Sequence, residues 1–146
     1  MIESAIGSFS GNYRFLSNFW PAEVQYQSIT FPTVEHGYVA AKSLSPAIWR
    51  YVAELERPGK AKRFGSTLQL RVDWTEVKVD IMKDLVRQKF QHPELREKLL
   101  STGEQELIEG NSWGDTFWGV CDGKGQNWLG LILMDTRARL RRFDLA

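Results

Sequence analysis

Hydrophobic and polar positions alternate clearly in only one stretch of this chain. From Ala22 to Phe31 (AEVQYQSITF) the side chains change character roughly every second residue, which predicts one or two short strands after the loop FLSNFWP. Elsewhere the period is helical. Thr33, just after Pro32, is placed to cap a helix through VEHGYVAAKS. Ser45 with Pro46 restarts a helix through IWRYVAELE, which Pro58 and Gly59 are expected to end. In DWTEVKVDIMKDLVRQKF, Val77, Ile81, Met82, Leu85 and Phe90 recur at helical spacing behind Asp73 and Glu76, which match a capping box. Pro93 opens PELREKLLST, closed by Gly103, and ELIEG reads as a short strand. After a glycine-rich stretch from Gly110 to Gly125, Asn127 is placed to cap a last helix, NWLGLILMDTRARLRRF. No internal repeat, low-complexity tract or linker interrupts this order. It predicts a compact, mainly helical α+β single domain with a small β-sheet, spanning residues 1–146.

Composition narrows the class. A chain of 146 residues, 42% hydrophobic and 25% charged, has the balance of a globular protein with one proper core. The net charge of +1 advertises no whole-chain affinity for nucleic acid and leaves a local patch open. Cys121 is the one cysteine, so no internal disulfide forms and a reducing cytoplasm is the expected compartment. The start, MIESAIGSFSGNYRF, lacks the basic and apolar regions of a signal peptide, and no stretch has the length to span a membrane. Aromatic residues reach 12%, and Trp74, Trp113, Trp118 and Trp128 lie near turns and helix ends, where rings often line ligand sites.

The chemistry-bearing positions are few. In PTVEHGYVAAK, Glu35 and Lys42 are seven apart and so lie nearly in line on one helix face, with Tyr38 and Val39 between them. An acid there can move protons, and a partly desolvated amine can act as a nucleophile. The plainer reading is a first-turn acid favoured by the helix dipole and a solvated lysine. In GNSWGDTFWGVCDGKGQNWLG, backbone N–H groups freed by glycine, a helix start and Lys124 would suit a diphosphate; the alternative is a surface turn. GVCDGKG is not a P-loop, because its glycine spacing is one short and Gly125 stands where Ser or Thr is required. Asp115, with Trp118 three residues later, is a second acid beside an aromatic, or simply a turn residue. His36 and His92 have no partner at metal-ligand spacing, so no metal site and no cofactor are expected. Arg137, Arg139, Arg141 and Arg142 could touch phosphates or form a solvated helix face.

Taken in order, FLSNFWP, FPTVEHGYVAAK, DWTEVKVDIMKDLVRQKFQ, PELREKLLSTG, ELIEG, DTFWG and GQNWLGLILMDTR resemble the NADAR domain family, which includes the YbiA-like N-glycosidases. The blocks run from Tyr13 to about Leu140. The resemblance implies a metal-independent hydrolase of N-glycosidic bonds. It implies that Lys42, Glu35, Asp115, Trp118 and Asn18 matter to function, with Lys42, Glu35 and Asp115 expected to be catalytic and Asn18 and Trp118 to bind substrate; Phe19, Tyr38, Gly119 and Asn127 are further candidate substrate contacts. One branch of the family acts on ribosylamino intermediates of riboflavin synthesis. Another removes ADP-ribose from guanine in nucleic acid, as in a toxin–antitoxin pairing with an ADP-ribosyltransferase. The expected partner is ADP-ribosylated nucleic acid, single-stranded DNA in particular, with a small ribosylated base as the alternative and no membrane. A non-catalytic ADP-ribose or NAD sensor is a third reading, which retention of both Glu35 and Lys42 disfavours.

Overall fold

The alternating stretch folds as a hairpin. In the computed structural model, which describes residues 4–144, strand β1 (Val24–Tyr26) pairs antiparallel with β2 (Ile29–Phe31). Gln27 and Ser28 at the tip both have positive φ, 53° and 63°, the turn geometry that matches the natural twist of paired strands. The outward edge of β1 is taken by a side chain: the Gln25 N–H donates to Gln88 Oε1 at 2.7 Å, and Gln88 Nε2 donates back to the Gln25 carbonyl at 2.8 Å.

Asn18–Lys89 forms one of two compact units. Helix α1 (Val34–Ala41) is its centre, with every residue buried except Glu35. Thr33 caps it as predicted, its Oγ1 accepting from the His36 N–H at 3.1 Å. The same hydroxyl donates to His36 Nδ1 at 2.7 Å, and Nε2 donates to the Leu55 carbonyl at 2.8 Å, so the fully buried imidazole is neutral and structural. Around α1 pack α2 (Pro46–Ala53), α3 (Pro58–Gly65) and α4 (Trp74–Lys89). Phe31, Val34, Met82 and Leu85 are 0 to 1% exposed, and each contributes about 1.5–3 kcal/mol by leaving water.

Two sequence expectations are corrected in this unit. Helix α2 stops at Ala53, and Pro58 with Gly59 does not end it but starts α3, with Pro58 at the first turn. Proline lacks a donor and has a helical φ, so it fits a helix start as well as it follows a helix end. The capping box at Asp73 is not made by its side chain. Arg71 holds both carboxylate oxygens, at 2.6 and 3.0 Å, a bidentate pair that outcompetes a backbone N–H.

The other unit combines Met1–Ser17 with Phe90–Ala146. It holds a 3₁₀ helix (Gly11–Leu16), α5 (Pro93–Ser101), β3 (Gly110–Asn111), β4 (Val120–Cys121) and α6 (Trp128–Asp144). β3 and β4 pair in parallel, so the described residues hold a second two-stranded sheet in addition to the β1–β2 hairpin. Of ELIEG, Leu107 makes an isolated bridge to Ile6 and the strand proper begins only at Gly110. Helix α6 buries Leu129, Ile132, Leu133, Thr136, Arg137 and Leu140, a stripe at helical spacing.

Candidate active site

Glu35 and Lys42 stand at opposite ends of α1, with Lys42 as the residue that caps its C-terminus in helical conformation. The turn after it is held from two sides. Arg71 N–H donates to the Lys42 carbonyl at 2.8 Å, and the Trp49 indole N–H donates to the Ser43 carbonyl at 2.8 Å. These bonds satisfy carbonyls that a helix end leaves orphaned, and they fix the backbone from which the lysine projects.

The Lys42 amine is half-buried and lies 5.6 Å from the centre of the Tyr38 ring. That ring packs on Trp74 of α4 at 5.1 Å between centroids. On the other side is Gly65 of α3: a Cβ built there would lie 3.4 Å from Lys42 Nζ and 3.0 Å from a Val39 methyl carbon. The absent side chain is therefore what lets α3 close over the lysine. Burial holds the Lys42 amine below its ordinary value; the Glu35 carboxylate opposes that shift, and the Lys62 and Lys78 ammoniums reinforce it. Desolvation is the largest of these effects, so the net shift is downward.

The loop LSNF is docked at the start of the same helix. The Glu35 N–H donates to the Asn18 carbonyl at 3.1 Å, while Asn18 Nδ2 reaches the Met82 sulfur at 3.6 Å. Phe19 is 39% exposed, with the Lys62 ammonium 5.9 Å from its ring centre. Asn18, Phe19, Glu35, Tyr38 and Lys42 thus belong together in the unit Asn18–Lys89. Sequence reasoning missed Gly65, Lys62 and Lys78. The first two lie on α3, whose opening Pro58 and Gly59 resemble a helix end in sequence, and Lys78 stands one turn beyond Trp74 on α4.

Asp115, Trp118, Gly119 and Asn127 belong to the other unit. Asp115 Oδ1 accepts from the N–H groups of Phe117 and Trp118, at 3.1 and 2.9 Å, so this acid shapes its own turn. The Trp118 ring meets Phe117 edge-on at 4.8 Å. Gly119 lies against the Glu109 carbonyl oxygen, where a Cβ would collide. Asn127 does not cap α6 with its side chain. Its Oδ1 accepts from the Glu109 N–H at 2.9 Å, its Nδ2 donates to the Leu107 carbonyl at 3.0 Å, and its φ is 55°.

Of the two readings of the glycine-rich stretch, a diphosphate cradle and a surface turn, the hydrogen bonding fits the turn. The N–H groups of Gln126, Asn127, Trp128 and Leu129 donate to the carbonyls of Thr116, Gly119, Phe117 and Trp118. The donors at the start of α6 are thus consumed by the preceding loop. Cys121 and Lys124 close a tight turn by exchanging backbone hydrogen bonds of 2.8 and 3.0 Å, the surface-turn alternative. The C-terminal arginines are largely occupied as well. Arg137, 5% exposed, binds Thr102 Oγ1 and the Gln105 carbonyl, each at 2.8 Å. Arg139 pairs with Asp135 at 2.9 Å, and Arg141 donates to the Gly103 carbonyl.

Among the described residues, no group of three or more His, Cys, Asp or Glu side chains could hold a metal ion. Among them, too, no helix is long and apolar enough to cross a membrane. The half-buried Lys42 amine and the Glu35 carboxylate thus share one helix. The chain matches the NADAR domain over residues 7–141 and belongs to that family. An N-glycosidase of Nostoc punctiforme is 42% identical over 136 residues, covering 88% of this chain and 86% of the relative. A riboflavin biosynthesis protein of Vibrio vulnificus is 38% identical over 134 residues, 89% of this chain but 36% of that longer protein. The solution structure of Escherichia coli YbiA superposes with a TM-score of 0.86 at 37% identity, over 99% of this chain and 89% of that one, so the α+β fold is shared.

Proposed function

We propose that the protein is an N-glycosidase that removes ADP-ribose from ADP-ribosylated guanine in nucleic acid, with Lys42 as nucleophile. The observation that carries the reading is the Lys42 amine, desolvated between Tyr38 and Gly65 with its pKa lowered by burial. Its lone pair attacks the anomeric carbon as the bond to the guanine nitrogen breaks, and Glu35 supplies the proton that the departing base needs. The ring oxygen then leaves, taking a proton, and an open-chain Schiff base remains on Nζ. Water adds to that carbon, the carbon–Nζ bond breaks, and the sugar recloses as free ADP-ribose. Proton transfer by Glu35 contributes roughly 10²–10⁴-fold, as such groups commonly do. Relatives named as N-glycosidases support the reaction class.

The experiment incubates the protein and Lys42→Ala with guanine-ADP-ribosylated single-stranded DNA and follows release of ADP-ribose. Release by the parent and not by the variant is the expected result. Equal release by both overturns the role of Lys42. A second reading, cleavage of a free ribosylamino compound, is favoured by the Vibrio relative named for riboflavin biosynthesis. No release from DNA, with turnover of that small compound, would select it.

A further inference from the structure

Helix α3 has a composition that its own stability does not explain. From Arg57 to Gly65 the chain reads RPGKAKRFG, with Arg57, Lys60, Lys62 and Arg63 basic and no acidic residue. Like charges one turn apart weaken a helix, and the whole chain has a net charge of only +1. The packing shows how the helix is used. Ala61 and Gly65 form its buried face, while Arg57, Lys60, Lys62 and Arg63 are exposed. Partly exposed aromatic rings lie against this helix. Phe19, 39% exposed, lies beneath the Lys62 ammonium, and Tyr51, 52% exposed, packs against Phe64 at 4.8 Å.

Cations tracking along one element, with partly open rings beside them, are what a single nucleic-acid strand requires: charge for its phosphates and flat faces for its bases. Gly65 touches the Lys42 amine from the buried face of α3, and Lys62 on the exposed face is near enough to act on that amine, so a strand held on this helix lies one helix thickness from the nucleophile. We infer that α3 is the strand-binding element of the protein, its basic residues taking the phosphates of single-stranded DNA and Phe19 and Tyr51 offering their faces to bases. This rests on the nucleic-acid reading above and assigns its partner to α3 and not to the largely occupied arginines of α6.

The test uses the full chain and an unmodified, fluorescently labelled oligodeoxythymidine, with binding followed by anisotropy across a salt series. The variant Lys60→Gln/Arg63→Gln removes two solvent-facing charges from α3. Lys124→Gln/Arg142→Gln removes two from exposed positions elsewhere. The α3 variant should bind about tenfold or more weakly, with a log–log salt slope shallower by about 1.4, while its melting temperature is unchanged. The other variant should bind like the parent. Absence of binding by the parent at low salt overturns the inference, and so does an equal loss in both variants. Because the probe carries no ADP-ribose, strand binding through α3 stands or falls separately from turnover.

Discussion

Lys42 Nζ lies 3.4 Å from the point where a Cβ would stand on Gly65, so one missing methyl on α3 sets the room available to the amine on α1. Gly65 has an ordinary helical backbone, and alanine there meets no conformational obstacle. The obstacle is space, because the new methyl would also lie 3.0 and 3.1 Å from the two Val39 methyl carbons. Gly65→Ala should cost about 1–3 kcal/mol through overpacking and should lower the rate of base release by displacing the amine. A thermal melt and a rate measurement check both. Unchanged turnover would show that the amine does not depend on this gap.

The pH dependence of turnover should follow the lowered Lys42 pKa. Activity should rise as the amine loses its proton, with a midpoint below the ordinary 10.5. Lys62 and Lys78 lower that pKa, so Lys62→Gln or Lys78→Gln should move the midpoint up; Glu35→Gln should move it down, at a reduced rate. A midpoint indifferent to all three changes would remove the electrostatic account.

Lys42 also links stability to pH. The folded chain binds this proton more weakly than the unfolded chain, so stability rises with pH between the lowered value and 10.5 and is at its lowest below that window. Lys42→Met removes a partly buried amine, and the variant should melt higher than the parent at neutral pH while losing turnover. A lower melting temperature would mean that the amine stabilises the fold.

Thr33 and His36 predict the acid limb. Burial lowers the His36 pKa below 6.5 despite the bond to Leu55. The unfolded chain therefore takes up this proton first, and stability should fall as pH drops from 6.5 through the folded value. Thr33→Val removes the helix cap and the partner of Nδ1, and should cost about 1–2 kcal/mol. Urea unfolding at neutral and acid pH tests both statements.

Arg137 predicts a purely structural effect. Arg137→Met would leave Thr102 Oγ1 and the Gln105 carbonyl without this donor, at about 1–3 kcal/mol for each group left unsatisfied. Binding of single-stranded DNA by the folded variant should match the parent. A specific loss of binding would return the phosphate role to α6.

The legible parts of this fold were those fixed by neighbours in sequence. Thr33, Ser45 and Pro93 marked helix starts because capping is a matter of a few residues, and Glu35 and Lys42 were placed in line by the helical repeat alone. What failed depended on competitors from farther along the chain. Asp73 suits a cap in isolation, yet Arg71 takes its carboxylate. The start of α6 suits an anion until the carbonyls of residues 116–119 reach its N–H groups. Pro58 was ambiguous in itself, and reading it as a stop hid α3. With α3 went Gly65, which decides how the lysine is housed, and Lys62, which shapes its charge environment.

A hairpin of three-residue strands ordinarily leaves a row of backbone donors and acceptors on show, an invitation to stacking by other copies. Here the amide of Gln88 stands where one residue of a third strand would stand, bonding both the N–H and the carbonyl of Gln25. The sheet is terminated by a side chain from its own unit. Resistance to edge-to-edge aggregation at β1 thus hangs on a single glutamine, whose loss would be felt in solubility long before it was felt in chemistry.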